Sequence, residues 1–131
     1  MNGYVDDIED ATLRNTDFRR VLYTGSNLQL VLMTLQPGEE IGAETHEDRD
    51  QFFRIVEGQG VVEIDGRRHA VEDDYAVVVP AGARHNVINS GRSPLKLYTL
   101  YGPPEHRDAV VHRTKREAVG GDEHFDEAKT E

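Results

Sequence analysis

Two short stretches, far apart in the sequence, carry side chains that can bind a metal ion. Glu44 and His46 lie two positions apart, and Gln51 opens a run of alternating apolar residues shortly afterwards. His85 comes much later, directly after the turn sequence Pro80-Ala81-Gly82-Ala83-Arg84. Alternate residues of a strand point to the same face, so both stretches can present these groups to the interior of a β-barrel. An inward-facing metal site requires this arrangement.

The composition narrows both the kind of protein and the kind of site. A chain of 131 residues with 37% hydrophobic residues is sized for one domain. It contains no cysteine, so any metal must be bound through nitrogen and oxygen. The net charge of −10 repels phosphate backbones, so we expect no nucleic-acid partner. With no apolar run long enough for a membrane helix and no signal-peptide pattern, we expect no membrane partner and a cytoplasmic location.

Short alternating segments separated by turn residues run from Phe18 to Tyr101 and predict an all-β fold. The pair Asp65-Gly66 between two such segments predicts a two-residue hairpin turn. The almost wholly apolar run Tyr75–Val79 predicts a strand buried on both faces. Short helices are expected at Ile8–Leu13 and after the capping residue Thr114.

The two stretches together resemble the motifs of the cupin superfamily. The second motif has the form G-x5-P-x-G-x2-H-x3-N, and it is matched at Pro80, Gly82, His85 and Asn89, with Asp74 at the first glycine. The first motif has the form G-x5-H-x-H-x3–4-E-x6-G, and it is matched at Gly38, His46 and Gly58. The resemblance covers Leu28 to Tyr101 and implies a cupin double-stranded β-helix, also called a jelly-roll barrel.

The first motif departs from the family pattern at two ligand positions. Glu44 stands where the first histidine is expected, and Gln51 stands where the glutamate is expected. The resemblance therefore implies a metal site of Glu44, His46, Gln51 and His85 whose carboxylate has moved to the first position. We expect one divalent ion, with iron, manganese or zinc favoured and nickel as an alternative. Gln51 either binds through its oxygen or orients a bound water, and a metal-free barrel is the competing interpretation.

The other candidate residues receive weaker predictions. We expect surface positions for the four remaining histidines, His69, His106, His112 and His124. For His106, a position over the barrel mouth is the alternative. Arg54 and Arg84 flank the motifs and could neutralise an anionic substrate, although a solvated position is expected for each. No general base is apparent outside the ligand set, so no catalytic residue is assigned.

Three classes of function are open. Leu30–Gly42 and Leu97–Pro104 resemble small single-domain cupins described as mannose-6-phosphate isomerase-like, which implies a metal-dependent enzyme acting on a sugar, sugar phosphate or hydroxy acid. The set of Glu44, His46 and His85 also fits a non-haem iron dioxygenase. The third class is a non-catalytic barrel that binds or senses a small molecule.

The chain is expected to divide into an N-terminal arm with one strand (residues 1–27), the cupin barrel (28–102) and a polar C-terminal tail (103–131). Open sheet edges favour pairing with a second copy, so we expect a homodimer. The strand Phe18–Tyr23 could add to a neighbour's sheet.

Overall fold

In the computed structural model, which describes residues 1–121 and 123–131, ten strands form two antiparallel sheets. Two short helices and the strands follow one another along the chain in this order: α1 Ile8–Arg14, β1 Arg19–Thr24, β2 Gln29–Leu35, β3 Glu44–Thr45, β4 Asp50–Glu57, β5 Gly60–Ile64, β6 Arg67–Val71, β7 Ala76–Val79, β8 Arg84–Ile88, β9 Leu95–Gly102, β10 Val111–His112 and α2 Lys115–Gly120. The larger sheet has the strand order β10-β1-β2-β9-β4-β7, and the smaller has the order β3-β8-β5-β6. The predicted jelly-roll fold is confirmed.

The core lies between the two sheets, which face each other with their buried side chains. Strand β9 shows an alternating pattern: Leu95, Leu97, Thr99 and Tyr101 are buried, and the residues between them are half-buried. Val62 and Val87 of the smaller sheet pack into the same apolar cluster. Burial of each such aliphatic side chain stabilises the fold by about 1.5–3 kcal/mol. The two sheets therefore hold each other in register and fix the strands that carry the polar groups.

Two turns contain residues with a left-handed backbone conformation. Asp65 and Gly66 have φ angles of 47° and 82°, so they form the predicted hairpin turn between β5 and β6. Asp74 has a φ of 72°, which explains why the family motif places a glycine at this position. Aspartate is one of the residues that tolerate this conformation best. The departure at Asp74 is therefore compatible with the turn that the motif requires.

The prediction for Tyr75–Val79 is wrong. Strand β7 forms one end of the larger sheet, and Tyr75 and Val78 are 47% and 66% exposed. Only Val79 of this strand is buried. An edge strand of a two-layer barrel has one face on the core and the other in solvent. An apolar run therefore does not by itself distinguish a central strand from an edge strand.

The chain ends pack against the barrel. Strand β10 pairs with Arg19 and Arg20 of β1, whose other side pairs with β2. Further along, the amide of Phe125 donates to the carbonyl of Glu105 (3.0 Å) and the amide of Thr130 donates to the carbonyl of Thr24 (3.0 Å). Within the described ranges, neither helix has the length and apolar character that crossing a bilayer requires.

Candidate metal centre

The short strand β3 and the longer strand β8 bring the two sequence stretches together. Glu44 of β3 lies directly opposite His85 of β8 in the antiparallel register. His46 comes directly after β3, two positions after Glu44. The carbonyl of His46 accepts a hydrogen bond from the amide of Gly82 at 2.8 Å. That hydrogen bond joins the turn of the second motif to the end of the first. Cross-strand neighbours have closely spaced Cβ atoms, so this register delivers Glu44 and His85 to one place.

Four donor atoms converge in two pairs. One donor atom each from Glu44, His46 and His85 lies within 4.8 Å of the other two. Glu44 Oε2 is 3.1 Å from His46 Nε2, and Gln51 Oε1 is 3.0 Å from His85 Nε2. Neighbouring ligands at right angles around an ion with bonds of about 2.1 Å are themselves about 3 Å apart. The observed spacing of both pairs therefore fits adjacent ligands of one ion.

The hydrogen bonds around His85 and Gln51 also fit a cation between them. The hydroxyl of Thr99 donates to the carbonyl of Phe52 (2.8 Å) and accepts the Gln51 amide nitrogen (3.0 Å), so Gln51 turns its oxygen toward His85. His85 Nδ1 lies 3.2 Å from the carbonyl of Ala83. A neutral imidazole has only one N–H, so one of its nitrogens must face an oxygen lone pair to lone pair. A metal ion at His85 Nε2 removes that mismatch.

The electrostatics keep Glu44 and His85 in the forms that bind a divalent ion. Burial raises the pKa of Glu44, but the hydrogen bond with His46 and the charges of His46, Arg19 and His85 outweigh it and lower this pKa overall. Burial, followed by the charge of His46, lowers the pKa of His85 despite the carbonyl of Ala83 and the charge of Glu44. Glu44 is therefore ionised and His85 neutral near pH 7, which are the forms that bind metals.

A second carboxylate lies on the far side of His46. His46 Nδ1 is 3.7 Å from Glu105 Oε2, and Arg49 forms an ion pair with the same carboxylate. The hydrogen bond with Glu44 raises the pKa of His46; burial opposes this effect, and the charge of Glu105 adds to it. A carboxylate near the free nitrogen of a ligating histidine orients the ring and increases its basicity. Glu105 is positioned for that role, whereas Arg49 fixes its orientation.

A cavity of about 220 Å³ borders this centre. Its wall includes seven charged or titratable side chains: Arg19, Glu44, Glu105, His106, Lys115, Glu123 and His124. Because Glu44 belongs both to the donor cluster and to the wall, a molecule in the cavity lies next to the candidate metal position. A larger surface cleft of about 720 Å³, lined by Gly58, Gln59 and Arg92 among others, shares no lining residue with the donor cluster.

The matching family is the cupin domain, whose model covers residues 31–101. The chain belongs to the cupin family. It is 46% identical over 126 residues to the protein YrkC of Bacillus subtilis, covering 92% of this chain and 68% of that protein. It is 41% identical over 123 residues to the protein L612 of Acanthamoeba polyphaga mimivirus, covering 90% of this chain and 76% of that protein.

A solved cupin structure extends the similarity to three dimensions. The crystal structure of BH2720 from Bacillus halodurans superposes on this cupin with a TM-score of 0.89 and 48% sequence identity. The superposition covers 92% of this chain and 96% of that chain. Because 92% of this chain is covered, the shared fold extends beyond residues 31–101.

The other candidate residues do not belong to the donor cluster. Arg54 pairs with Asp74 at 2.6 Å, and Arg84 is exposed, so neither lines the cavity. The prediction of a solvated loop for His106 is wrong, since His106 is only 8% exposed. The buried amide of Gln29 causes this burial, because it accepts the backbone N–H groups of Glu105 and His106 and donates to the carbonyl of His106.

Two residues of the site were missed from the sequence. Arg19 is only 7% exposed and points inward from β1 together with Val21, while Arg20 points outward. The alternation in Arg19–Thr24 was the available signal, but apolar residues occur on both faces of this strand. Glu105 lies outside the strands, and no local pattern indicates it.

Proposed function

We propose that this cupin binds one divalent first-row metal ion through Glu44, His46 and His85, with Gln51 in the fourth position, and uses it to bind a small oxygen-rich molecule. The ligand class is that of a hydroxy acid, sugar or sugar phosphate. One observation carries the proposal: the pairs Glu44–His46 and Gln51–His85 each have the spacing of adjacent ligands, 3.1 and 3.0 Å, beside a cavity.

Some residues of the site would bind the metal ion, and others contact these ligands. The bound ion would act as a Lewis acid that polarises an oxygen of the ligand. Thr99 orients Gln51 and the carbonyl of Ala83 orients His85, while the carboxylate of Glu105 lies 3.7 Å from His46 Nδ1. Such supporting contacts determine how well a metal centre keeps its geometry. Glu44 supplies the negative charge, so the ligand set carries −1.

An isomerase activity needs a further group that moves a proton between carbon atoms. In the described part of the chain, the cavity wall offers two carboxylates outside the ligand set, Glu105 and Glu123. Both are engaged: Glu105 pairs with Arg49, and Glu123 accepts from His106 at 2.6 Å. The arrangement therefore favours ligand binding and polarisation over proton shuttling.

A second candidate function follows from the identity of the three closest donors. Two histidines and one carboxylate form the ligand set of non-haem iron oxygenases, which leaves positions open for substrate and dioxygen. His46, His85 and Glu44 supply this set, and Gln51 would then lie next to the ion without binding it. Anaerobic loading with iron(II), followed by measurement of oxygen uptake with candidate ligands, tests this function. Uptake that depends on both iron and ligand supports it, and absence of uptake leaves the binding function.

Elemental analysis of protein purified without a histidine tag tests the metal site itself. We expect close to one metal ion per chain in the parent and little in His46→Ala, His85→Ala or Glu44→Ala, because each variant removes a strong ligand. Gln51→Ala should retain part of the metal, since amide oxygens are weaker ligands. His69→Ala is the matched control, because His69 is exposed on β6. Equal metal content in the parent and all variants would contradict the proposal.

A further inference from the structure

The least expected group in the cavity wall is the guanidinium of Arg19. This side chain lies at the start of β1, is 7% exposed, and has a buried Nε with no hydrogen-bond partner. Its Nη1 is 3.4 Å from Nδ1 of His112, and its guanidinium lies 5.4 Å from the ring centre of Phe18. Arginine is rarely buried without an anionic partner, because removing its charge from water is costly.

The charges around the cavity are unevenly matched. Each carboxylate in the wall has a partner: Glu44 has His46, Glu105 has Arg49 and Glu123 has His106. The two cations differ from them. Throughout residues 1–121 and 123–131, neither Arg19 nor Lys115 has a carboxylate within ion-pair distance. Both cations line the cavity, and neither has a carboxylate of the described residues bound to it, although the charge of Arg19 acts on Glu44 and Glu123 from a distance.

We infer that Arg19 binds the carboxylate of a small organic acid, and that another oxygen atom of the acid, outside this carboxylate, reaches the metal centre. The inference rests on the metal site proposed above, since Glu44 links the cavity to that centre. A guanidinium binds a carboxylate through two parallel hydrogen bonds, and Arg19 lines a cavity whose wall also includes the half-buried Lys115. Glu44 is the member of the donor cluster that lines the same cavity, so a molecule anchored at Arg19 would extend toward it.

Charge favours a monocarboxylate over a phosphate ester. A volume of about 220 Å³ corresponds to roughly seven water molecules, which is enough for a short hydroxy acid. Three carboxylates in the same wall would also repel a doubly charged phosphate. Among the ligand classes proposed above, the cavity therefore selects the hydroxy acids.

Calorimetric titration of the metal-loaded protein with lactate, propane-1,2-diol and inorganic phosphate tests this inference. The diol has the same carbon skeleton as lactate but no charge. We expect the parent to bind lactate at least about tenfold more tightly than the diol or phosphate, because one charge-assisted pair contributes that much. Arg19→Gln should lose this preference, and Arg19→Lys should retain part of it. Arg20→Gln is the matched control, since Arg20 points outward and pairs with Asp17 at 3.0 Å.

The inference would be overturned by lactate binding in Arg19→Gln equal to that of the parent, by an equal loss in Arg20→Gln, or by a preference for phosphate or the diol. Metal content and thermal unfolding are measured for every variant, and we expect Arg19→Gln to keep its metal and to melt no lower than the parent. Metal content without lactate binding overturns this inference alone. Lactate binding that depends on Arg19 in a protein that holds no metal overturns the metal proposal alone.

Discussion

Two groups that combine histidine with a carboxylate lie beside Tyr101, and they differ in the partners of their histidine nitrogen atoms. The ring of Tyr101 is 6.0 Å from that of His46 and 5.1 Å from that of His106. In the ligand cluster (Glu44, His46, Gln51 and His85), the donor atoms face one another around a common point. In the His106 cluster (Tyr101, His106 and Glu123), Nδ1 of His106 contacts Glu123 at 2.6 Å and Nε2 contacts the hydroxyl of Tyr101 at 3.2 Å.

The comparison teaches that a buried histidine becomes a candidate ligand when one of its nitrogens lacks a matched partner. Both nitrogens of His106 have complementary partners, so this histidine is expected to hold the C-terminal segment in place. His85 has oxygen atoms opposite both nitrogens, and only one of them can receive its proton. The number of hydrogen bonds is similar in the two clusters, but the balance of donors and acceptors is not.

The largest predicted effect separates the two clusters through metal-linked stability. At a metal concentration of a hundred times Kd, the parent should gain about 2.7 kcal/mol of unfolding free energy. His85→Ala should gain almost nothing, because it removes a ligand. His106→Ala should gain as much as the parent, although its stability without metal is lower. Urea unfolding with added metal and with excess chelator gives the gain within each variant. A gain in His85→Ala equal to that in His106→Ala would remove the distinction.

The next effect concerns the pH dependence of the His106 cluster. Burial raises the pKa of Glu123, but the hydrogen bond with His106, the charge of His106, the amide of Arg107 and the charge of Arg19 outweigh it and lower this pKa overall. A carboxyl whose pKa is lowered by folding stabilises the fold above its unfolded pKa of about 4.3, and this contribution disappears as pH falls through the folded pKa. The stabilisation is therefore complete at pH 7.

Glu123→Gln should consequently lower the unfolding free energy by about 1–2 kcal/mol at pH 7, because it weakens a charge-assisted hydrogen bond. The difference from the parent should shrink as the pH falls below the unfolded pKa of about 4.3, and it should disappear as the pH falls through the lowered pKa of the folded carboxyl. Urea unfolding at several pH values measures both quantities. Glu127→Gln serves as the control, since Glu127 is exposed in the same segment. A difference that stayed constant down to pH 3 would show that the charge of Glu123 is not responsible.

The spacing within each stretch of the ligand cluster is local, whereas the meeting of the two stretches was predicted through the resemblance to cupins. Glu44 and His46 are two positions apart, with one residue between them, and the turn before His85 sets the start of β8. The hairpin at Asp65-Gly66 is equally local, since both residues need a positive φ. These features require only rules that act over a few residues.

The cavity could not be predicted in the same way, because its wall is built by contacts between distant residues. Arg19 shares its strand with apolar residues on both faces, so alternation alone does not show which face turns inward. His106 is buried because Gln29, far away in the sequence, hydrogen-bonds the backbone of the segment that carries it. The polar composition after Pro103 indicated a tail, but composition says nothing about specific partners for its few buried groups.

The smallest predicted effect tests how Gln51 belongs to the ligand cluster. The Thr99 hydroxyl donates to the carbonyl of Phe52 and accepts the Gln51 amide, which turns the amide oxygen toward His85. Thr99→Val keeps the shape but removes this hydrogen bond, so the metal affinity should fall about fivefold, equivalent to about 1 kcal/mol. Competition with a chromophoric chelator measures the affinity. Thr34→Val is the control, because Thr34 is also buried and its hydroxyl bonds to Asn15 instead. An unchanged affinity in Thr99→Val would mean that Gln51 does not present its oxygen to the ion.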